Sequence, residues 1–201
     1  MQRTFSVLIL TLLFGVLLAH PLFDLPLRQG LVGGVVMLAT AYWLRARWQR
    51  DPNAPEAPER RALMSLGGTA VVMGHMAACL WQAGPAMDLH SRASHAMAID
   101  SWTLFGAALL MMSIVRAPGP SEDERDQQIA GRALRSAYIT LVAMVLGVAV
   151  WLSFGRDPLL EQMSRAMLSH ILISGWIISC MVQDISCLNA YARDHRRNAQ
   201  A

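Results

Sequence analysis

With 201 residues, 54% of them hydrophobic and 15% charged, and a positive mean hydropathy, the chain carries more apolar surface than one soluble domain of this length can bury. All 17 basic residues are arginine and the formal net charge is +3; no tract interleaves them with aromatic side chains, which leaves direct nucleic-acid binding without support. Cys79, Cys180 and Cys187 show no C-x-x-C spacing, so a disulfide framework is not expected and small core packing is their expected role.

Six apolar runs follow in order, at 4–19, 31–44, 62–81, 96–115, 137–154 and 166–182. A helix that crosses a bilayer needs about 20 mainly apolar residues. The first run has the basic start of a signal peptide, but Leu17, Leu18 and Ala19 make a poor cleavage site, and a retained first helix is expected. The second reaches spanning length only when 29–48 is counted, with Trp43 and Trp48 as interfacial anchors. The third and fourth reach it unaided. The expected fold class is all-α: a polytopic membrane protein with six transmembrane helices in three hairpins. Residues 1–50 form the first hairpin, 51–60 a cytoplasmic linker, 61–116 the second hairpin, and 117–201 the third with an amphipathic extension and a basic tail. The Pro-rich and charged stretch RARWQRDPNAPEAPERR is expected to be irregular.

Arginine orients this threading. With six spans and an inner N-terminus, thirteen arginines fall on one side, and only Arg28, Arg92, Arg156 and Arg165 fall on the other. Because cytoplasmic loops retain Arg and Lys, both termini are placed in the cytoplasm, with a bacterial inner membrane as the location.

The fifth run opens with seven charged side chains between Glu122 and Arg135. Pro118 and Pro120 break the preceding helix, Ser121 with Glu124 reads as a capping box, and the acidic residues suit the positive end of a helix dipole. Within it, DERDQQIAGRA resembles the D-E-R-D-x-x-I-x-x-x-A signature that precedes a transmembrane helix in several groups of small bacterial membrane proteins, the DUF2178-like ones among them. The resemblance implies an inner-membrane protein without assigned catalysis. Pairing of some relatives with small helix-turn-helix regulators would make Asp123, Glu124, Arg125 and Asp126 a docking surface for a cytoplasmic regulatory protein.

The last two hairpins read as a tandem repeat, although matches this short also arise by chance. RRALMS at 60–65 aligns with GRALRS at 131–136, SRA recurs at 91–93 and 164–166, and His95 with Trp102 answers His170 with Trp176. Ala70, Gly74 and Ala78, and again Ala143 and Gly147, are small residues at helical spacing that let helices approach closely in lipid, within the chain or in a homodimer.

Five of the six histidines fall on the outer half of this topology. A titratable residue within a span is costly and by default a functional candidate. His75, His95, Asp100 and His170 form the candidate metal or proton site, suited to a divalent cation or to histidine protonation. Each also has an ordinary reading: His75 bonded to a neighbouring carbonyl, Asp100 paired with Arg92 or Arg165. Asp184 is either a transport carboxylate or the partner of an inner-side arginine. Haem ligation by His75 and His170 is disfavoured by depths about 5 Å apart, and no resident cofactor is expected. No nucleophile with a base is evident, so catalysis is not expected. Two functions remain: a sensor or regulator that binds a cytoplasmic partner and responds to metal or pH outside, and a small transporter or channel using Asp100, His75 and Asp184.

Overall fold

The computed structural model describes residues 2–20, 28–51, 54–88, 90–115, 123–155, 158–198 and 200. The elements are α1 (Gln2–Ala19), α2 (Gln29–Arg50), α3 (Ala57–Ala83), α4 (Arg92–Val115), α5 (Glu124–Phe154), α6 (Pro158–Gln162) and α7 (Arg165–Asn198). Among the described residues the fold is all-helical. Four helices, α3, α4, α5 and α7, are long and apolar enough to cross a membrane, and Thr4–Ala19 is a shorter apolar helix.

Local chemistry sets the helix ends. Pro58 and Glu59 lie in the first turn of α3, where a missing N–H costs nothing and negative charge suits the dipole. Asp123 caps α5, its side chain accepting from the Asp126 N–H at 2.8 Å. The start signal therefore belongs to Asp123; Ser121, Glu122, Pro118 and Pro120 lie outside the described residues. The stretch expected to be irregular is also shorter than its composition implied. Helix α2 runs through Arg50 and α3 begins at Ala57, because Arg and Gln are good helix formers once flanking turns provide a nucleus.

The repeated SRA has a plain physical meaning. Ser91 Oγ accepts from the Ser94 N–H at 3.2 Å, and Ser164 Oγ accepts from the Met167 N–H at 3.1 Å. Both serines are N-caps of long helices, so capping chemistry accounts for the serine of each match. Ser164→Ala is expected to cost about 1 kcal/mol, read as a small drop in the melting temperature of the detergent-solubilised chain. No change would show that the α7 start is held by its surroundings, among them the Ser164 N–H bond to Pro85 O at 3.0 Å.

Helix α3 is the hub. It lies against α1, α4 and α7, while α2 packs on α4 and α5 on α7. Helices α1 and α2, expected as a hairpin, barely touch, leaving an apolar cleft of about 440 Å³ lined by Leu10, Phe14, Met37 and Leu44. The core of the bundle is aliphatic and methionine-rich, with Leu66, Ala70, Val72, Met76, Leu104 and Met111 buried. Close approach is built in at Gly74, where a Cβ would fall 2.2 Å from Leu12 O, and at Gly15, where it would fall 2.1 Å from Val71 O. By contrast, the Ala143 and Gly147 stripe faces no neighbouring helix; a Cβ at Gly147 would meet nothing within 4 Å. Trp102 and Trp176 both contact Phe105, at ring separations of 5.8 and 5.7 Å.

Much of the outer surface is apolar. On α5, Leu134, Ile139, Val145, Leu146, Val150 and Phe154 are exposed. Only lipid or another apolar partner makes such a face inexpensive.

Candidate functional site

At one end of the bundle lie Arg28, Asp100, His95 and the start of α7. Gly30 allows α2 to press on the first turns of α4, since a Cβ there would fall 2.6 Å from Asp100 Cα. That approach delivers Arg28 to Asp100, with Nε 3.3 Å from Oδ1, and its Nη2 donates to Ala96 O at 3.1 Å. The expected partners Arg92 and Arg165 are thus replaced by the arginine at the N-cap of α2, a helix whose contacts sequence spacing does not reveal.

His75, 2% exposed, sits one helix further in. Its Nδ1 is 3.0 Å from Ser101 Oγ, and Cys79 Sγ is 3.7 Å from the same nitrogen. Ser101 Oγ and His75 are thus a hydroxyl and a base within hydrogen-bonding reach, which sequence spacing did not show. Both are more than nine-tenths buried, and the pair joins α3 to α4 as an interhelical hydrogen bond. His170 turns to its own helix, Nδ1 lying 2.8 Å from Ala166 O. His95 is exposed. Among the described residues no three His, Cys, Asp or Glu side chains group so as to hold a metal ion. The four candidates are therefore not brought together into one site.

The other end is rich in arginine. Arg45 donates to Ile114 O at 2.8 Å, and Arg60 lies over the Trp48 ring at 5.8 Å. His195 Nε2 is 3.4 Å from Glu59 Oε2. Three of the four residues expected to dock a partner are engaged within the chain. Asp123 is the α5 cap. Arg125 Nε bonds Asp194 Oδ2 at 3.1 Å, its guanidinium lying over Tyr191 at 5.8 Å. Asp126 Oδ1 accepts from the Tyr191 hydroxyl at 2.7 Å. Glu124 remains exposed. The charge at the mouth of α5 thus clamps α5 to α7.

Beneath this clamp, where α3, α5 and α7 meet, is a cavity of about 260 Å³. Its polar wall holds Arg61, Ser65, Asp126, Gln183, Asp184 and Tyr191. Asp184 is 8% exposed. Ser65 donates to its carboxylate, and its Oδ2 has no hydrogen-bond partner among the described residues. Burying a carboxylate without full pairing costs several kcal/mol, so the fold tolerates a penalty at this atom, as it does at Asp100 Oδ1 and Arg125 Nη2, which also lack a hydrogen-bond partner among the described residues. The cavity is wide enough for several waters or a small solute. From Ser65 to His75 is about 15 Å along α3, and the interval is filled by core residues Leu66, Ala70, Val71 and Val72. An apolar layer thus separates the Asp184 cavity from the buried histidine.

Sequence spacing marked Asp184 but missed Ser65, Gln183 and Tyr191. The visible signal was a Ser three positions into an apolar run and a polar Q-D pair just past another. No protein-family model, curated protein or solved structure matches the chain.

Proposed function

We propose that the chain is a multi-pass bacterial inner-membrane protein of small transporter or channel type, whose cavity around Asp184 opens toward the cytoplasm and binds a proton or small cation. The four long apolar helices are joined in this reading by α1 and α2, giving six spans and placing both termini inside with thirteen of the 17 arginines. Retention of α1 is supported by its close seat on α3 at Gly15 and Gly74. A tandem origin of α3–α4 and α5–α7 draws on their similar order, though not on the shared serine caps.

One observation carries the reading: a carboxylate oxygen of Asp184, buried between three apolar helices, faces a cavity without a hydrogen-bond partner among the described residues. A buried ionisable group on a membrane-spanning helix is by default a functional candidate. Docking of a regulator through residues 123–126 has less support, because Arg125 and Asp126 are already bound to α7. In this reading the His75–Ser101 pair and the Arg28–Asp100 pair fasten the far end of the bundle.

The test is proton and sodium flux in proteoliposomes, followed with an entrapped pH dye and with radioactive sodium. Asp184→Asn is expected to lower the flux at least tenfold, while Asp100→Asn lowers it less. Flux no greater than in empty liposomes, or unchanged in Asp184→Asn, removes the reading.

A further inference from the structure

On the other side of the clamp, α5 and α7 enclose a second cavity of about 350 Å³. Three arginines line it: Arg132 from α5, and Arg193 and Arg197 from α7. All three are exposed, and among the described residues none is paired with a carboxylate. Asp194 also lines the cavity, but its charge is matched by Arg125 at 3.1 Å. Arg193 spends its Nε on Asn189 O at 3.2 Å, which leaves its two terminal nitrogens for a ligand. The groove is therefore a concentration of uncompensated positive charge.

Its position relative to the apolar runs gives the ligand class. Arg132 lies five residues before the run at 137–154, about 8 Å beyond it at helical rise. A headgroup layer is about 5–8 Å thick on each side of the hydrocarbon, so Arg132 stands at phosphate depth, while Arg193 and Arg197, about 17 and 23 Å beyond the run at 166–182 by the same rise, close the groove from its water side. Ser136, Ser186 and Asn189 add neutral hydrogen-bonding groups to the wall, and Ile129 and Ala133 form an apolar side. Below, the exposed face of α5 continues through Tyr138 and Ile139 into the apolar run, a path for acyl chains. A planar, forked donor suits a phosphate oxygen pair.

We infer that this groove is a binding site for the phosphate headgroup of an anionic phospholipid, held by Arg132, Arg193 and Arg197 between α5 and α7. The inference rests on the membrane reading but not on the role of Asp184. A lipid seated there bridges the two helices whose junction forms the Asp184 cavity. Free phosphate shares the same chemistry and differs in lacking the acyl chains that would lie on α5.

Native mass spectrometry of the full chain released from mild detergent tests it, with added phosphatidylglycerol, phosphatidylcholine or inorganic phosphate. Phosphatidylglycerol is expected to remain bound where phosphatidylcholine does not. Each arginine near an anionic headgroup strengthens binding about fivefold, so Arg132→Gln, Arg193→Gln and Arg197→Gln together should weaken it about 100-fold. A control triple, Arg45→Gln, Arg47→Gln and Arg50→Gln, removes equal charge from the same end outside the groove and should leave the bound lipid in place. Because all three groove arginines are exposed, the variant is expected to elute as the parent does in gel filtration. If that variant aggregates, competition decides the matter: excess phosphatidylglycerol displacing a labelled copy from the parent, with phosphatidylcholine inert, supports the site. Equal loss in both triples, equal retention of phosphatidylcholine, or displacement of the lipid by millimolar phosphate would overturn it.

Discussion

Replacing Gly74 with alanine is expected to unseat α1 from α3. The new Cβ would lie 2.2 Å from Leu12 O and 3.2 Å from Val16 N, both backbone atoms. A side chain in the way can change rotamer, whereas a helix backbone can only move away as a body. Gly15 makes the reciprocal contact, its would-be Cβ 2.1 Å from Val71 O and 2.9 Å from His75 N. In lipid, helices are held together by van der Waals contact because no hydrophobic drive favours one apolar neighbour over another. Separation by an ångström therefore forfeits a large share of the attraction along the seam. We expect a loss of about 3 kcal/mol or more, seen as a clear fall in the melting temperature of the purified chain in mild detergent. Gly147→Ala supplies the control. Nothing lies within 4 Å of that Cβ, and alanine favours the helix by about 0.5–1 kcal/mol, so this variant should melt at or slightly above the parent. Equal melting of Gly74→Ala and the parent would falsify the α1–α3 seam.

The two stripes of small residues show how far sequence reaches into this fold. Ala70, Gly74, Ala78 and Ala143, Gly147 look alike as patterns, yet Gly74 meets α1 and Gly147 meets no other helix. Spacing along one helix reports which face is smooth but carries no information about what lies opposite. The same limit explains Asp100. Its place in a long apolar helix was legible, but its partner Arg28 depends on α2 packing against α4 through Gly30. What composition did convey is the arrangement of the ends: long apolar helices, Arg45 and Arg60 at one pole, and a charged start to α5. The acidic cluster was legible as a helix start and less so as a clamp. Tyr191 and Asp194, which bind it, lie 65 and 69 positions away from Asp126 and Arg125. Local chemistry predicts a cap, and only the juxtaposition of α5 and α7 turns its remaining charges into interhelical bonds.

Asp184→Asn should make the chain more stable while it abolishes the proposed flux. A buried carboxylate with one oxygen lacking a hydrogen-bond partner among the described residues bears a desolvation cost that neutral asparagine, of nearly the same shape, largely avoids. The gain is expected to be about 1–3 kcal/mol, or several degrees in the melting temperature for a chain of this size. Ser65→Ala should act in the opposite direction, because it withdraws the hydroxyl that donates to the same carboxylate and leaves the charge still less compensated. Once Asp184 is already asparagine, the cost of Ser65→Ala should shrink, since the two side chains are coupled. Asp126 lines the same cavity but accepts from Tyr191 at 2.7 Å, so Asp126→Asn is expected to loosen the α5–α7 clamp and lower the melting temperature. The opposed signs separate a carboxylate kept for its chemistry from one kept for its contacts, since a residue retained against stability needs some other reason to persist. If Asp184→Asn destabilised the chain as much as Asp126→Asn, Asp184 would be a structural partner, and lost flux in that variant would report damaged folding.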